Sequence, residues 1–191
     1  MRCLSCHRFS ARVICKACEA KLLIPTVSKR KVGTLEIVSL FKYSTLEPFI
    51  LTKHTAAGFR LYRYFSKRFL RPFLNDFAAH IDEPVSLIAI DERSTGGYSH
   101  TALLSHHATS PKIKAIHSKL FAQNSVKYAG RSLQFRLENP REFHYTGEQG
   151  IEAILIDDII TTGVTLQEAQ QELERHGVEV LFAVTLADAR E

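Results

Sequence analysis

The stretch IEAILIDDIITTGVT, residues 151–165, decides the fold. Ile154-Leu155-Ile156 is wholly apolar and reads as a buried strand, ending where Asp157 and Asp158 stand side by side. Two adjacent carboxylates at a strand end repel each other and contribute nothing to a core, which predicts that something outside the chain uses them. Thr161-Thr162-Gly163-Val164-Thr165 then opens a helix over residues 166–176. Small hydroxyl residues around a glycine let backbone N–H groups converge on an anion at a helix N-terminus, with the threonine hydroxyls as further donors. Ligands of open α/β sheets sit beyond the carboxyl ends of the strands. The arrangement therefore asks for hydroxyls near the acids and a phosphate at the turn, and a ribose 5-phosphate fits. An ordinary strand-to-helix turn capped by threonine is the plain alternative.

Outward from this loop, residues 83–191 alternate short apolar strands with helices, the signature of a parallel sheet with crossover helices. Strands are expected at 85–90, 112–116, 151–156 and 178–186, and helices at 98–108 and 166–176. The second helix ends in Arg175-His176 with Gly177 following, the residue types that suit a helix carboxyl end. Residues 118–135 show no clear period, carry Lys119, Lys127 and Arg131, and read as a mobile basic loop. The fold class is α/β, a parallel sheet flanked by helices. Three segments are expected: 1–26, 27–82 and 83–191.

All four cysteines fall within the first 18 residues, as Cys3-x-x-Cys6 and Cys15-x-x-Cys18. Two such knuckles present four thiolates to one tetrahedral zinc, whose binding energy can hold a segment too short for a core of its own. Disulfides or a redox pair are the alternatives. With four protein ligands the metal has no open position, so its role is structural.

The chain carries 25 Lys and Arg against 20 Asp and Glu, but residues 1–82 hold 15 of those bases and only 5 of the acids. A basic front half fits either a polyanion such as single-stranded DNA or a solvated lysine-rich surface. Ser28-Lys29-Arg30-Lys31 reads as a basic connector into a strand at 35–41, followed by a helical stretch over 53–77. There Phe59, Tyr62, Phe65 or Phe69, and Phe73 form an apolar stripe, and Arg63, Lys67, Arg68 and Arg71 are the candidate nucleic-acid contacts. No apolar stretch approaches the roughly 20 residues that span a bilayer, and the N-terminus lacks a signal-peptide apolar region, so no membrane insertion and a cytoplasmic location are expected.

Apolar strand, Asp157-Asp158, two aliphatics, Thr161-Thr162-Gly163-x-Thr165 resembles, nearly position for position, the phosphoribosyl-pyrophosphate (PRPP) motif of type I phosphoribosyltransferases. The order of parts, a four-cysteine segment, a basic helical stretch and a C-terminal core of this kind, resembles the ComF/ComFC competence proteins associated with DNA uptake in natural transformation. Gly97-Tyr98-Ser99-His100 and Arg136-Leu137-Glu138-Asn139 match further fragments, while Gly96, Ala89 and Asp91 depart from that family's arginine and prolines. The resemblance implies PRPP contacts from Asp157 through Thr165, including Ile159, Ile160 and Val164. Asp157 and Asp158 would face the ribose hydroxyls with Mg²⁺ bridging to the pyrophosphate, and Arg93 would serve the pyrophosphate loop. It also implies residues 118–135 as a hood, a competence helicase or translocase as partner, and phosphoribosyl transfer as an activity. A metabolic phosphoribosyltransferase acting on a free base, with no nucleic-acid role, is the competing reading.

Overall fold

The computed structural model describes residues 1–90, 97–124, 126 and 132–190. Its centre is a six-stranded sheet in the order β1-β2-β8-β7-β3-β4, formed by β1 Ser28–Val32, β2 Leu35–Lys42, β8 Glu179–Asp188, β7 Glu152–Ile160, β3 Val85–Ala89 and β4 Ile113–Ile116. Every neighbouring pair is parallel except β1 and β2, an antiparallel edge hairpin. Parallel strands buried on both faces read as continuous apolar runs, and Ala153-Ile154-Leu155-Ile156 of β7 is fully buried. This is the α/β class expected, a mostly parallel sheet flanked by helices.

The remaining elements cover the two faces. Helices α2 Tyr43–Ile50, α3 Ala56–Phe65, α4 Arg71–Ala78 and α5 His100–His107 pack on one side, around Phe41, Leu61, Phe65, Leu70, Ile154 and Ile156. Cys3, Ile14 and Leu23 join the same cluster, so the N-terminal segment with α1 Lys16–Leu22 sits directly on it. The opposite face carries α7 Val164–Arg175 and a two-stranded antiparallel ribbon, β5 Leu120–Ala122 with β6 Phe143–Tyr145. A short helix, α6 Leu133–Glu138, precedes β6.

Four expectations are corrected. Residues 28–31 are strand rather than connector: β1 has almost no apolar signal, yet its full register against β2 supplies the backbone partners. The helical stretch at 53–77 begins only at Ala56, where Thr55 accepts the Gly58 N–H, and it passes through a π-helical turn at Ser66–Leu70. Pro72 lacks an N–H and crowds the carbonyl four residues back, and the Arg71 N–H instead reaches Ser66 O, five residues back. Residues 118–135 contain β5 and the start of α6, elements too short to show a period. Finally, β7 does not stop at Ile156 but runs on through both acids to Ile160. No helix among the described residues is long and apolar enough to cross a membrane.

Candidate functional site

Because β7 continues through the acids, strand alternation sends Asp157 and Asp158 to opposite faces of the sheet. Asp158 lies on the side of Ile154 and Ile156 and is buried. Three groups converge on its Oδ2: the Tyr62 hydroxyl donates at 2.8 Å, the Lys53 ammonium at 3.1 Å, and His100 Nε2 stands at 3.3 Å. Burial alone would push this carboxyl up, but His100, Lys53 and the Tyr62 hydroxyl together hold it below the usual carboxylate range. Burial and the neighbouring Asp158 charge drive the Tyr62 hydroxyl well above its ordinary value, so it stays a donor. Asp158 thus belongs to a buried polar network of the chain itself.

Asp157, turned away from Asp158 by the strand, is half-buried; its Oδ1 accepts the N–H of Asp158 at 2.7 Å. Ile159 and Ile160 pack on opposite clusters and close the strand. Thr161 is exposed and is held by two arginines: Arg136 Nη1 donates to its hydroxyl at 2.6 Å and Arg30 Nη2 to its carbonyl at 2.7 Å. Thr162 Oγ1 accepts a long 3.4 Å bond from the Val164 N–H. Gly163 caps α7 with φ +88°, a backbone that side chains rarely adopt, and a Cβ there would stand 2.7 Å from Val32 Cγ2. Val164 and Thr165 form the first turn of α7, whose amino end points its N–H groups and positive dipole at this loop. Arg93 lies outside the described residues, within 91–96. That segment follows Ile90, whose N–H donates to Ile156 O and whose carbonyl accepts from Thr101 Oγ1 at 2.6 Å.

The four cysteine sulfurs all lie within 4.8 Å of one another, close enough to hold one metal ion, and they are the only such group among the described residues. Cys3 is buried, and although burial opposes ionisation, the N–H groups of Cys15, Cys6 and Ser5 bring its thiol down to about 6. Arg63, Lys67, Arg68 and Arg71 are all exposed. They do not form one free row: Arg68 pairs with Glu19 at 2.6 Å beside the cysteine segment, and Glu19 also accepts from Tyr64. The charges of Arg63 and Lys67 are felt at His107, which is held below its ordinary value by burial first and then by His106 and these two cations.

Lys53, Tyr62, His100 and Arg30 are the site residues that sequence reasoning missed. His100 had a local signal, since Ser99 before it caps α5 by accepting the Ala102 N–H. The others had none.

The sequence matches the family model described as the phosphoribosyl transferase domain over residues 71–191. No curated protein matches the chain. Among solved structures, an adenine phosphoribosyltransferase overlaps at 11% identity and TM-score 0.46, covering 90% of this chain and 89% of that one. A hypoxanthine phosphoribosyltransferase from Staphylococcus aureus overlaps at 16% identity and TM-score 0.40, over 66% and 62% of the two chains. The UMP synthase of Leishmania donovani overlaps at 16% identity and TM-score 0.38, over 75% of this chain and 24% of its own. The chain therefore spans less than two thirds of the last two proteins. Since the family match takes in well over half of the sequence, and takes in the loop between β7 and α7, the chain belongs to the phosphoribosyl transferase domain family.

Proposed function

We propose that the chain binds PRPP with Mg²⁺ at the loop from Asp157 to Thr165 and transfers the phosphoribosyl group to an acceptor nucleophile, whose new bond to the anomeric carbon replaces the bond to the departing pyrophosphate. The loop geometry carries this reading: an acid at the end of a parallel strand, then a positive-φ glycine at the amino end of a twelve-residue helix. Glycine is required there by the approach of Val32, which is how a backbone that must cradle an anion is built. The α7 N–H groups with Thr161, Thr162 and Thr165 hold the 5-phosphate, and Asp157 takes the ribose hydroxyls. Asp158, engaged by Tyr62, Lys53 and His100, fixes the strand end beneath them. Mg²⁺, when bound, would neutralise charge on the pyrophosphate; Asp157 is the carboxylate that would serve the ion, and Arg93 the cation that would serve the pyrophosphate. The region from β5 through α6 to β6 is the hood that keeps water from the anomeric carbon.

In this reading the four thiolates hold a structural zinc ion, the donor set and spacing that zinc prefers. The chain is a ComF-like competence protein of the cytoplasm that also binds single-stranded DNA through the exposed cations Arg63, Lys67 and Arg71, and a competence helicase or translocase is its partner. The four cysteines and the basic face favour it over a metabolic enzyme acting on a free base. Calorimetry of PRPP with Mg²⁺ tests the site: an Asp157→Ala/Thr165→Val variant, which spares the buried Asp158 network, loses the heat of binding. Equal heats from the variant and the wild type would remove the assignment.

A further inference from the structure

The loop from Asp157 to Thr165 is held in place by a segment outside the matched domain. Arg30, in the middle of β1, leaves only 7% of its side chain exposed. Its Nη1 donates to Asp188 Oδ1 at 2.9 Å and its Nη2 to the carbonyl of Thr161 at 2.7 Å. Asp188 is the last residue of β8 and pairs in register with Ile160, the last residue of β7. One guanidinium thus fastens the end of the strand pair to the first residue of the turn.

Such a placement is costly. Burial lowers the basicity of Arg30, offset in part by the charge of Asp188, and the Nε–H is buried with no hydrogen-bond partner among the described residues. A fold needing only an edge strand could use an aliphatic residue here. The rest of the hairpin follows the same loop. Val32 fills the space over Gly163, Gly33 turns at φ +59° against the Gln167 side chain, and Thr34 accepts from Gln170 Nε2 at 3.1 Å. From Thr161 to Gln170 the loop and the first turns of α7 lie against residues 30–34.

We propose that Arg30 is a positioning residue of the ribose-phosphate site, and that the β1–β2 hairpin is a working part of that site. Arg30 sets the direction of the Thr161 carbonyl, and with it the N–H groups that follow, before any ligand arrives. It brings a permanent positive charge beneath a loop that must receive a phosphate. A lysine keeps the charge but cannot hold a carboxylate and a carbonyl in two fixed directions from one planar group.

The inference rests on the binding reading above, and its test separates the two. Calorimetry on the full chain with ribose 5-phosphate, and separately with inorganic pyrophosphate and Mg²⁺, compares wild type with Arg30→Lys. An Arg30→Met/Asp188→Leu double variant removes both charges, so it folds without a stranded buried ion and covers the case in which the lysine variant does not. Ribose 5-phosphate is expected to bind about tenfold or more weakly to both, the usual scale for losing a residue that orients a ligand group. Pyrophosphate binding is expected to stay within about twofold of wild type, a split that a purely structural role would not produce. Unchanged ribose 5-phosphate affinity in a folded variant would overturn the proposal, as would equal losses for both ligands. A wild type that ignores ribose 5-phosphate would sink the binding reading itself.

Discussion

Replacing Tyr62 by phenylalanine isolates the Asp158 network, because the ring keeps its place in the core and only one hydroxyl is lost. Tyr62 is completely buried, so only a hydroxyl-sized void is left and bulk water does not replace the lost donor. The hydroxyl donates at 2.8 Å to a buried carboxylate, and a hydrogen bond to a charged group contributes about 1.5–3 kcal/mol. For a chain of this size that corresponds to a fall of about 3–12 °C in Tm. The pH dependence follows from the depressed folded-state value of Asp158. A carboxyl held below its ordinary range stabilises the fold fully above that range and loses its contribution as pH falls through the folded value. In Tyr62→Phe the carboxyl moves back toward ordinary behaviour. The gap between the two proteins is therefore full at pH 7 and narrows below about pH 4. Denaturant unfolding followed by circular dichroism at pH 7 and through the acid range reads both quantities. A gap smaller than about 0.5 kcal/mol at pH 7, or one that persists unchanged into acid, would refute the network as described.

Three further outcomes are expected. Gly163→Ala forces a side chain into the left-handed region, costing about 1–2 kcal/mol, and drives its Cβ against Val32; thermal melting should fall and ribose 5-phosphate binding should vanish in the same variant. Gly58→Ala, which in an exposed helix would stabilise by about 1 kcal/mol, should destabilise here because the new Cβ meets the carbonyl of Thr52; a higher melting temperature would contradict the packing of α3. Replacing Arg63, Lys67 and Arg71 together by alanine should lower the salt slope of single-stranded oligonucleotide binding by about 2, whereas Arg68→Ala, whose guanidinium is engaged by Glu19, should change it less. Identical slopes in wild type and triple variant would remove the basic face as a nucleic-acid surface.

The parts of this molecule that were legible in the sequence are those whose cause is local. Ile154-Leu155-Ile156 announces a buried parallel strand by composition alone, and Gly177 marks a helix end by the conformation it favours. What stayed hidden depends on distant partners. Ser28–Val32 is a strand because Leu35–Lys42 offers it a ladder, not because its own residues prefer one. The inward turn of Asp158 depends on Lys53, Tyr62 and His100, the first two 105 and 96 residues away in the chain. No periodicity inspects such distances. The segment at 118–135 was opaque for another reason, since three residues of β5 bury only Leu120 and Ala122, too few to separate strand from loop.

The two adjacent aspartates show why the distinction matters for function. In sequence they look like one acidic feature; on a strand that continues through them, neighbours cannot share a face. Asp158 faces α3 and α5, and Asp157 turns the other way. Removing Asp158 takes away the buried carboxylate on which Lys53, Tyr62 and His100 converge, so loss of ligand binding in that variant would report damage to the fold as much as lost chemistry. Removing Asp157 takes away a half-buried carboxylate at the strand end, where its Oδ1 accepts the neighbouring backbone N–H. An Asp157→Asn variant that unfolds like wild type yet fails to bind ribose 5-phosphate would assign the ligand contact to Asp157, and it would place Asp158 in the support that Tyr62, Lys53 and His100 hold from behind.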